Sequence, residues 1–209
     1  MSRYAFLLNI LDGIRNEAVG HKHAASYLDD GTPESLNQGR SRAFIHLFLK
    51  VKFGLLDFAQ REHFVTDGAF DGGIDGYFLA EESKTIYLIQ SKFRTTEANF
   101  SDKEISLDEI LAMDIDRVSS GDPEDEKGNS YNGKILQLER EVSEIPDVGR
   151  WKYAVVILAN LHGYTDSQVR RLAENFPVTI YDAERCYSEL VFPVICGTYY
   201  TASELTVHL

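Results

Sequence analysis

Cysteine is scarce in this 209-residue sequence: only Cys186 and Cys196 are present. Two cysteines are too few for a disulfide scaffold and fit a pair of reduced thiols in a cytoplasmic protein. Long apolar runs are also missing. None approaches the roughly 18 residues that a membrane-spanning helix needs, so no membrane partner is expected. The apolar start, Met1 to Ile14, lacks a basic stretch followed by a small-residue cleavage site. It reads as a helix of the fold rather than a secretion signal. Positive charge is short as well, with 21 Lys and Arg against 33 Asp and Glu and a net charge of −12. Nucleic-acid binders usually carry a basic face, so this balance counts against a broad phosphate-binding surface. It does not exclude a local basic strip, and a divalent cation adds positive charge where a phosphate must sit. Much of the acid lies in stretches that read as peripheral, such as Asp122 to Glu126.

What is present describes a folded domain. The chain is 44% hydrophobic and 26% charged, which suits one core of ordinary size. An amphipathic helix is expected from Ser2 to Val19, then a loop with a short helix from His21 to Gly39. A second helix is expected from Ser41, a candidate N-cap, to about Gln60. Its Phe44, Leu47, Phe48, Val51 and Leu55 form one stripe. Ile45, Leu49, Phe53 and Leu56 widen that stripe until most sides are apolar.

A short strand at His63 to Thr66 and strands at Tyr77 to Ala80 and Lys84 to Arg94 read as a meander, with a turn at Glu81-Glu82-Ser83. Ser101 to Val118 reads as a helix with a capping-box spacing at Ser106 and Glu109. Ser119 to Lys134 reads as an exposed loop and Ile135 to Ser143 as a helix. The apolar strand Lys152 to Ala159, the helix Thr165 to Asn175 and the strand Pro177 to Tyr181 imply a right-handed parallel crossover. A short helix follows at Asp182 to Leu190. The expected fold is α/β, with a mixed central β-sheet flanked by α-helices. It forms a single domain over 1–209, with an N-terminal helical extension over 1–40 and a core over 41–190.

The informative stretch is Asp71-Gly72-Gly73-Ile74-Asp75-Gly76, followed by a strand, a turn and Ile86-Tyr87-Leu88-Ile89-Gln90-Ser91-Lys92. Side chains alternate along a strand, so Gln90 and Lys92 emerge on one face and Ile89 and Ser91 on the other. Asp75 enters the neighbouring strand of the same hairpin. A carboxylate, an amide oxygen and an ammonium can thereby converge. Phosphodiester cleavage uses such a group: a metal neutralises the phosphate and polarises a water. Asp75 offers a hard oxygen suited to Mg2+ or Mn2+. Gln90 offers a neutral ligand, and a backbone carbonyl near Ser91 a third. Lys92 can hold the water or stabilise developing charge, with Asp71 or Asp67 assisting. Taken singly, Asp-Gly pairs are ordinary turn formers, and a polar strand end can simply be leaving the core. Their conjunction is what points to a site.

A helix, then Asp71-Gly-Gly-Ile-Asp75-Gly76, then Gln90-Ser91-Lys92 closing the next strand, resembles the PD-(D/E)xK nuclease superfamily in its Mrr-like variant. The longer stretch Gly39 to Arg94, which includes Ser41-Arg-Ala-Phe-Ile-His-Leu-Phe-Leu49, is similar to the N-terminal nuclease-like region of abortive phage infection proteins of the AIPR family. The resemblance implies a restriction-endonuclease-like core, metal-dependent DNA cleavage and a role in bacterial defence against phage. It also implies that the chain is the N-terminal part of a longer protein. The sequence departs from the pattern in one place. Many relatives carry a metal-binding glutamate on the helix before the first strand, and Arg42 to Leu49 has none, offering Arg42 and His46 instead.

The rival readings are a catalytically weak or inactive nucleic-acid-binding module and an oligomerisation domain of a defence complex. RNA stands beside DNA as a substrate, and a second copy of the chain is a candidate partner. Elsewhere, His21 and His23 read as solvated surface. His46 reads as a core histidine with a hydrogen-bond partner before a catalytic acid. Lys50, Lys52 and Arg94 form either a basic strip or solvated surface, and Tyr199 and Tyr200 read as packing against the core or against a following domain.

Overall fold

In the computed structural model, the described residues are 1–28, 31–102, 113–161, 164–173 and 175–198. The fold is α/β, with a four-stranded mixed sheet in the order β1-β2-β3-β4. β1 (Gly76–Ala80) pairs antiparallel with β2 (Thr85–Ser91), and β2 pairs parallel with β3 (Lys152–Leu158), which pairs parallel with β4 (Val178–Ile180).

Helix α1 (Arg3–Glu17) starts where the Ser2 side chain accepts from Ala5 N, and it buries Tyr4, Leu7, Leu11 and Ile14 at helical spacing. Helix α2 (Pro33–Phe53) is capped by Thr32, carries Pro33 in its first turn and stops at Gly54, whose φ is 66°. Every residue from Ala43 to Leu49 is buried, so the expected burial on most sides holds for this stretch, while Leu55 and Leu56, expected on the same helix, lie beyond its end and Leu56 is exposed. At about 1.5–3 kcal/mol for each large apolar side chain removed from water, this stretch of α2 anchors the fold.

The helices α1 and α2 share one core with Ile89, Val156, Leu158 and Tyr181. The opposite sheet face, with Tyr77, Ile86, Leu88, Val155 and Ile157, packs against Ile115, Val118, Ile135 and Leu138. Alternate residues of β3 thus enter different cores, which is why Val155 to Leu158 are all apolar.

The remaining described α-helices are α3 (Phe58–His63), α4 (Glu97–Ser101), α5 (Ile115–Ser120), α6 (Gly133–Ser143), α7 (Asp166–Leu172), α8 (Ala183–Cys186) and α9 (Phe192–Cys196), with a π-helical turn Tyr187–Val191 between the last two and short 3-10 turns at Ala24–Ser26 and Val148–Arg150. The two cysteines are unpaired. Among the described residues no helix is long and apolar enough to cross a membrane.

Several boundaries differ from expectation. Helix α2 begins eight residues before Ser41, because Thr32-Pro33-Glu34 is itself a start signal: an N-cap hydroxyl, a proline whose missing N–H costs nothing in the first turn, and an acid at the positive helix end. The continuous helix to Gln60 is broken by Gly54 and restarts at α3, capped by Asp57. His63 to Thr66 is the end of α3 plus a single bridge, Val65 to Gly76, so a hairpin replaces the three-strand meander. The Ser106 and Glu109 capping box lies outside the described residues. So do Tyr199 and Tyr200.

Candidate active site

The register places Gly76 opposite Ile89, so Asp75, one residue before β1, stands across from Gln90. Tyr77 and Leu79 on β1 and Ile86 and Leu88 on β2 all face the core formed with α6. Alternation carries Asp75, Gln90 and Lys92 onto that same face. The strand end is stitched by backbone bonds: Asp75 N to Ile89 O at 2.8 Å, and Lys92 N to Leu158 O at 3.1 Å.

Asp75 is 7% exposed, and its Oδ2 accepts the Ser91 N–H at 2.6 Å. Asp71 turns its carboxylate into its own loop, accepting from Gly68 N at 3.0 Å and Gly73 N at 2.9 Å. Asp67 receives Arg42 Nε on Oδ2 at 2.8 Å, while Arg42 Nη2 donates to the Asp67 carbonyl at 3.2 Å. One carboxylate oxygen from each of Asp67, Asp71 and Asp75 lies within 4.8 Å of the other two.

Gln90 is fully buried. Its Nε2 donates to Gly73 O at 3.1 Å, in the loop between Asp71 and Asp75, and its Oε1 is buried without a hydrogen-bond partner. Ser91 differs from its two neighbours. Its side-chain oxygen is also buried and unpartnered, and its backbone N–H serves Asp75.

This crowding is legible in the acidities. Burial pushes the Asp75 carboxyl up to about 7. The charges of Asp67 and Asp71 add to the rise, while the Ser91 N–H and the Lys92 ammonium oppose it. Asp71 is raised too, chiefly by burial, and Lys92 again acts in the opposite direction. Lys92, half-buried, therefore exerts its charge on both carboxyls. Hard oxygen donors and no sulfur or imidazole suit Mg2+, Mn2+ or Ca2+ rather than a softer metal.

The acidic loop is held from one side. Asn132 caps α6 by accepting from Lys134 N and Ile135 N, while its Nδ2 donates to Thr66 O at 3.0 Å and its backbone N to Phe70 O at 2.9 Å. Asp114 N donates to Gly72 O at 2.7 Å. These partners lie far apart along the chain, and no motif announced them.

The other candidates fall elsewhere. His46 is wholly buried, with Nε2 at 2.7 Å from Tyr27 Oη and 3.2 Å from Glu62, and Nδ1 accepting from Arg61 Nε at 3.2 Å. Burial lowers its pKa; it is a core histidine. Lys50 pairs with Glu17 at 2.8 Å and Lys52 with Glu189, so neither is a free member of a basic strip. His21 lies against the Phe58 ring, 5.0 Å between centroids, and His23 approaches Glu62 at 3.7 Å.

The sequence reading missed Arg61, which is fully buried and bonded to Glu17 and to the Leu55 and Leu56 carbonyls. No local pattern marks it, because its partners lie on α1, α2 and the α2–α3 link. The chain matches no family model, no curated protein and no solved structure.

Proposed function

We propose that the chain is a metal-dependent nuclease that hydrolyses DNA phosphodiester bonds with Mg2+ or Mn2+, built on a restriction-endonuclease-like core of the PD-(D/E)xK kind. The observation that carries this reading is Gln90 Oε1, a buried oxygen with no partner on the residue opposite Asp75, which is itself one of three clustered carboxylates. An unpaired buried acceptor costs about 1–3 kcal/mol, and crowded carboxylates repel. A divalent cation relieves both.

Asp75 and Gln90 would hold the cation, with Asp71 or Asp67 and the Ser91 main-chain carbonyl as further oxygens. When bound, the cation supplies neutralisation of the phosphate and acidification of a water. Lys92, acting on the same face, orients that water and offsets charge developing on the phosphate. The resemblance to the nuclease-like region of AIPR proteins supports a role in bacterial defence against phage.

A second reading, a nucleic-acid-binding module without turnover, has one observation in its favour. Arg42 already neutralises Asp67, which leaves the cation with fewer free carboxylates. The two separate in one assay: supercoiled plasmid with the wild-type chain and with Lys92→Ala, in Mn2+ and in chelator, with RNA alongside. Metal-dependent nicking that falls about a hundredfold or more in Lys92→Ala supports the nuclease. Binding without nicking, unchanged by the substitution, supports the module and refutes the enzyme.

A further inference from the structure

Phe70 sits in the acidic loop, between Asp67 and Asp71, and is 57% exposed. Among the described residues, Phe192 is the only other exposed phenylalanine, tyrosine or tryptophan. A lone exposed phenylalanine needs no explanation by itself, but this one has a left-handed backbone, φ 59°. A bulky side chain is disfavoured there. The same loop uses glycine at its other left-handed positions, Gly72 at φ 62° and Gly73 at φ 72°. At position 70 it keeps a large ring that the fold does not bury.

Nor is the ring carried on a loose segment. The Phe70 carbonyl accepts Asn132 N, the Gly68 N–H is held by Asp71, and Thr66 O is held by Asn132 Nδ2. The structure therefore leaves a phenylalanine more than half exposed, on a braced and strained backbone, in the loop that carries Asp67 and Asp71. Strain retained at a position that folding does not need is a mark of function.

We propose that Phe70 is a stacking platform for an unpaired base of the substrate strand, next to the bond that is cut; this rests on the nuclease reading above. Base faces inside a duplex are covered by their neighbours, so a single projecting ring is matched to single-stranded or unwound nucleic acid. Stacking is also the form of affinity that a chain of net charge −12 can use. It needs no phosphate clamp, and Lys50, Lys52 and Arg42 are already committed to carboxylates.

The test measures fluorescence anisotropy of a short labelled DNA strand, the same sequence as RNA, and the DNA duplex, in Ca2+, with the full chain. Wild type is compared with Phe70→Leu, Phe70→Trp and Phe70→Gly, and thermal unfolding is recorded for each. Losing one base stack weakens single-strand binding by about five- to 150-fold in the Leu and Gly variants, while Trp keeps it. Phe70→Gly, released from the left-handed penalty, melts at the same temperature as wild type or higher, so weaker binding cannot be blamed on unfolding. Tighter binding of the DNA or of the RNA strand identifies the sugar and supports the platform in either case. Equal single-strand affinity for wild type and Phe70→Gly overturns the proposal and leaves the nuclease reading intact, as does a preference for duplex. A wild-type chain that neither binds any of the three nor nicks plasmid removes the nuclease reading, and this proposal with it.

Discussion

Replacing Asp75 by asparagine should make the metal-free protein more stable above neutral pH. The Asp75 carboxyl titrates at about 7 in the fold, chiefly because it is buried, and near 3.9 in an unfolded chain. For a raised acid the native state binds the proton more tightly. The associated stability is fully present below the unfolded value and is lost as pH rises from about 4 through about 7. A carboxyl that titrates about three pH units later in the fold corresponds to a loss of at most about 4 kcal/mol at pH 8. The substituted amide would keep an oxygen for the Ser91 N–H, now held at 2.6 Å, and would carry no charge to repel Asp67 and Asp71. For a chain of this length 1 kcal/mol moves Tm by about 2–4 °C, so the variant should melt several degrees above wild type at pH 8 and level with it at pH 4. Thermal unfolding from pH 4 to 8 in chelator reads the difference. Repeating it in Mn2+ should raise wild type towards the variant and leave the variant where it was. A variant less stable than wild type at pH 8, or a difference that does not grow with pH, refutes the reasoning.

Gln90→Glu should lower the Mn2+ concentration needed to raise Tm by about tenfold, since a second buried carboxylate adds ligand charge; in chelator at pH 8 the same variant should melt below wild type. Gly76→Ala should cost about 1–3 kcal/mol in urea unfolding and weaken the Mn2+ response together, because a Cβ there would stand 2.9 Å from Ile45 Cγ2 and 3.2 Å from the Phe64 carbonyl, immediately beside Asp75. Arg61→Met should cost about 3 kcal/mol in urea unfolding without changing the Mn2+ response, since it strands the Leu55 and Leu56 carbonyls and His46 Nδ1, while Arg61 bonds these groups and Glu17 rather than Asp67, Asp71 or Asp75.

The hairpin was readable because its signals are local. Two-residue alternation from Ile86 to Lys92 sets which side chains share a face. The exact pairing was not readable: the expected three-residue turn Glu81 to Ser83 would set Asp75 opposite Ile89, whereas the turn includes Lys84 and pairs Ala80 with Thr85, which sets Asp75 opposite Gln90. The start of α2 was equally local, and Thr32-Pro33-Glu34 announced it, but the glycine and polar residues up to Gly39 outweighed that signal. What could not be read is long-range pairing. Arg42 meets Asp67 across 25 residues, and Lys52 meets Glu189 across 137. Charge pattern along the chain cannot show which cations are already committed to a partner.

Those pairings change what the net charge of −12 means. Read from composition, the acid opposes a phosphate ligand and the basic residues near the site answer it. In the fold, Lys50, Lys52 and Arg42 direct their charge at Glu17, Glu189 and Asp67, while Asp71 and Asp75 are left with Lys92 as the ammonium that offsets them. Arg42 is paired with Asp67 inside the cluster itself, and Lys50 and Lys52 with acids outside it, so on the nuclease reading a polyanionic substrate would need positive charge from solution. On that reading a divalent ion held by Asp75 and Gln90 would be that charge, so metal and substrate would have to bind with mutual dependence rather than as independent events.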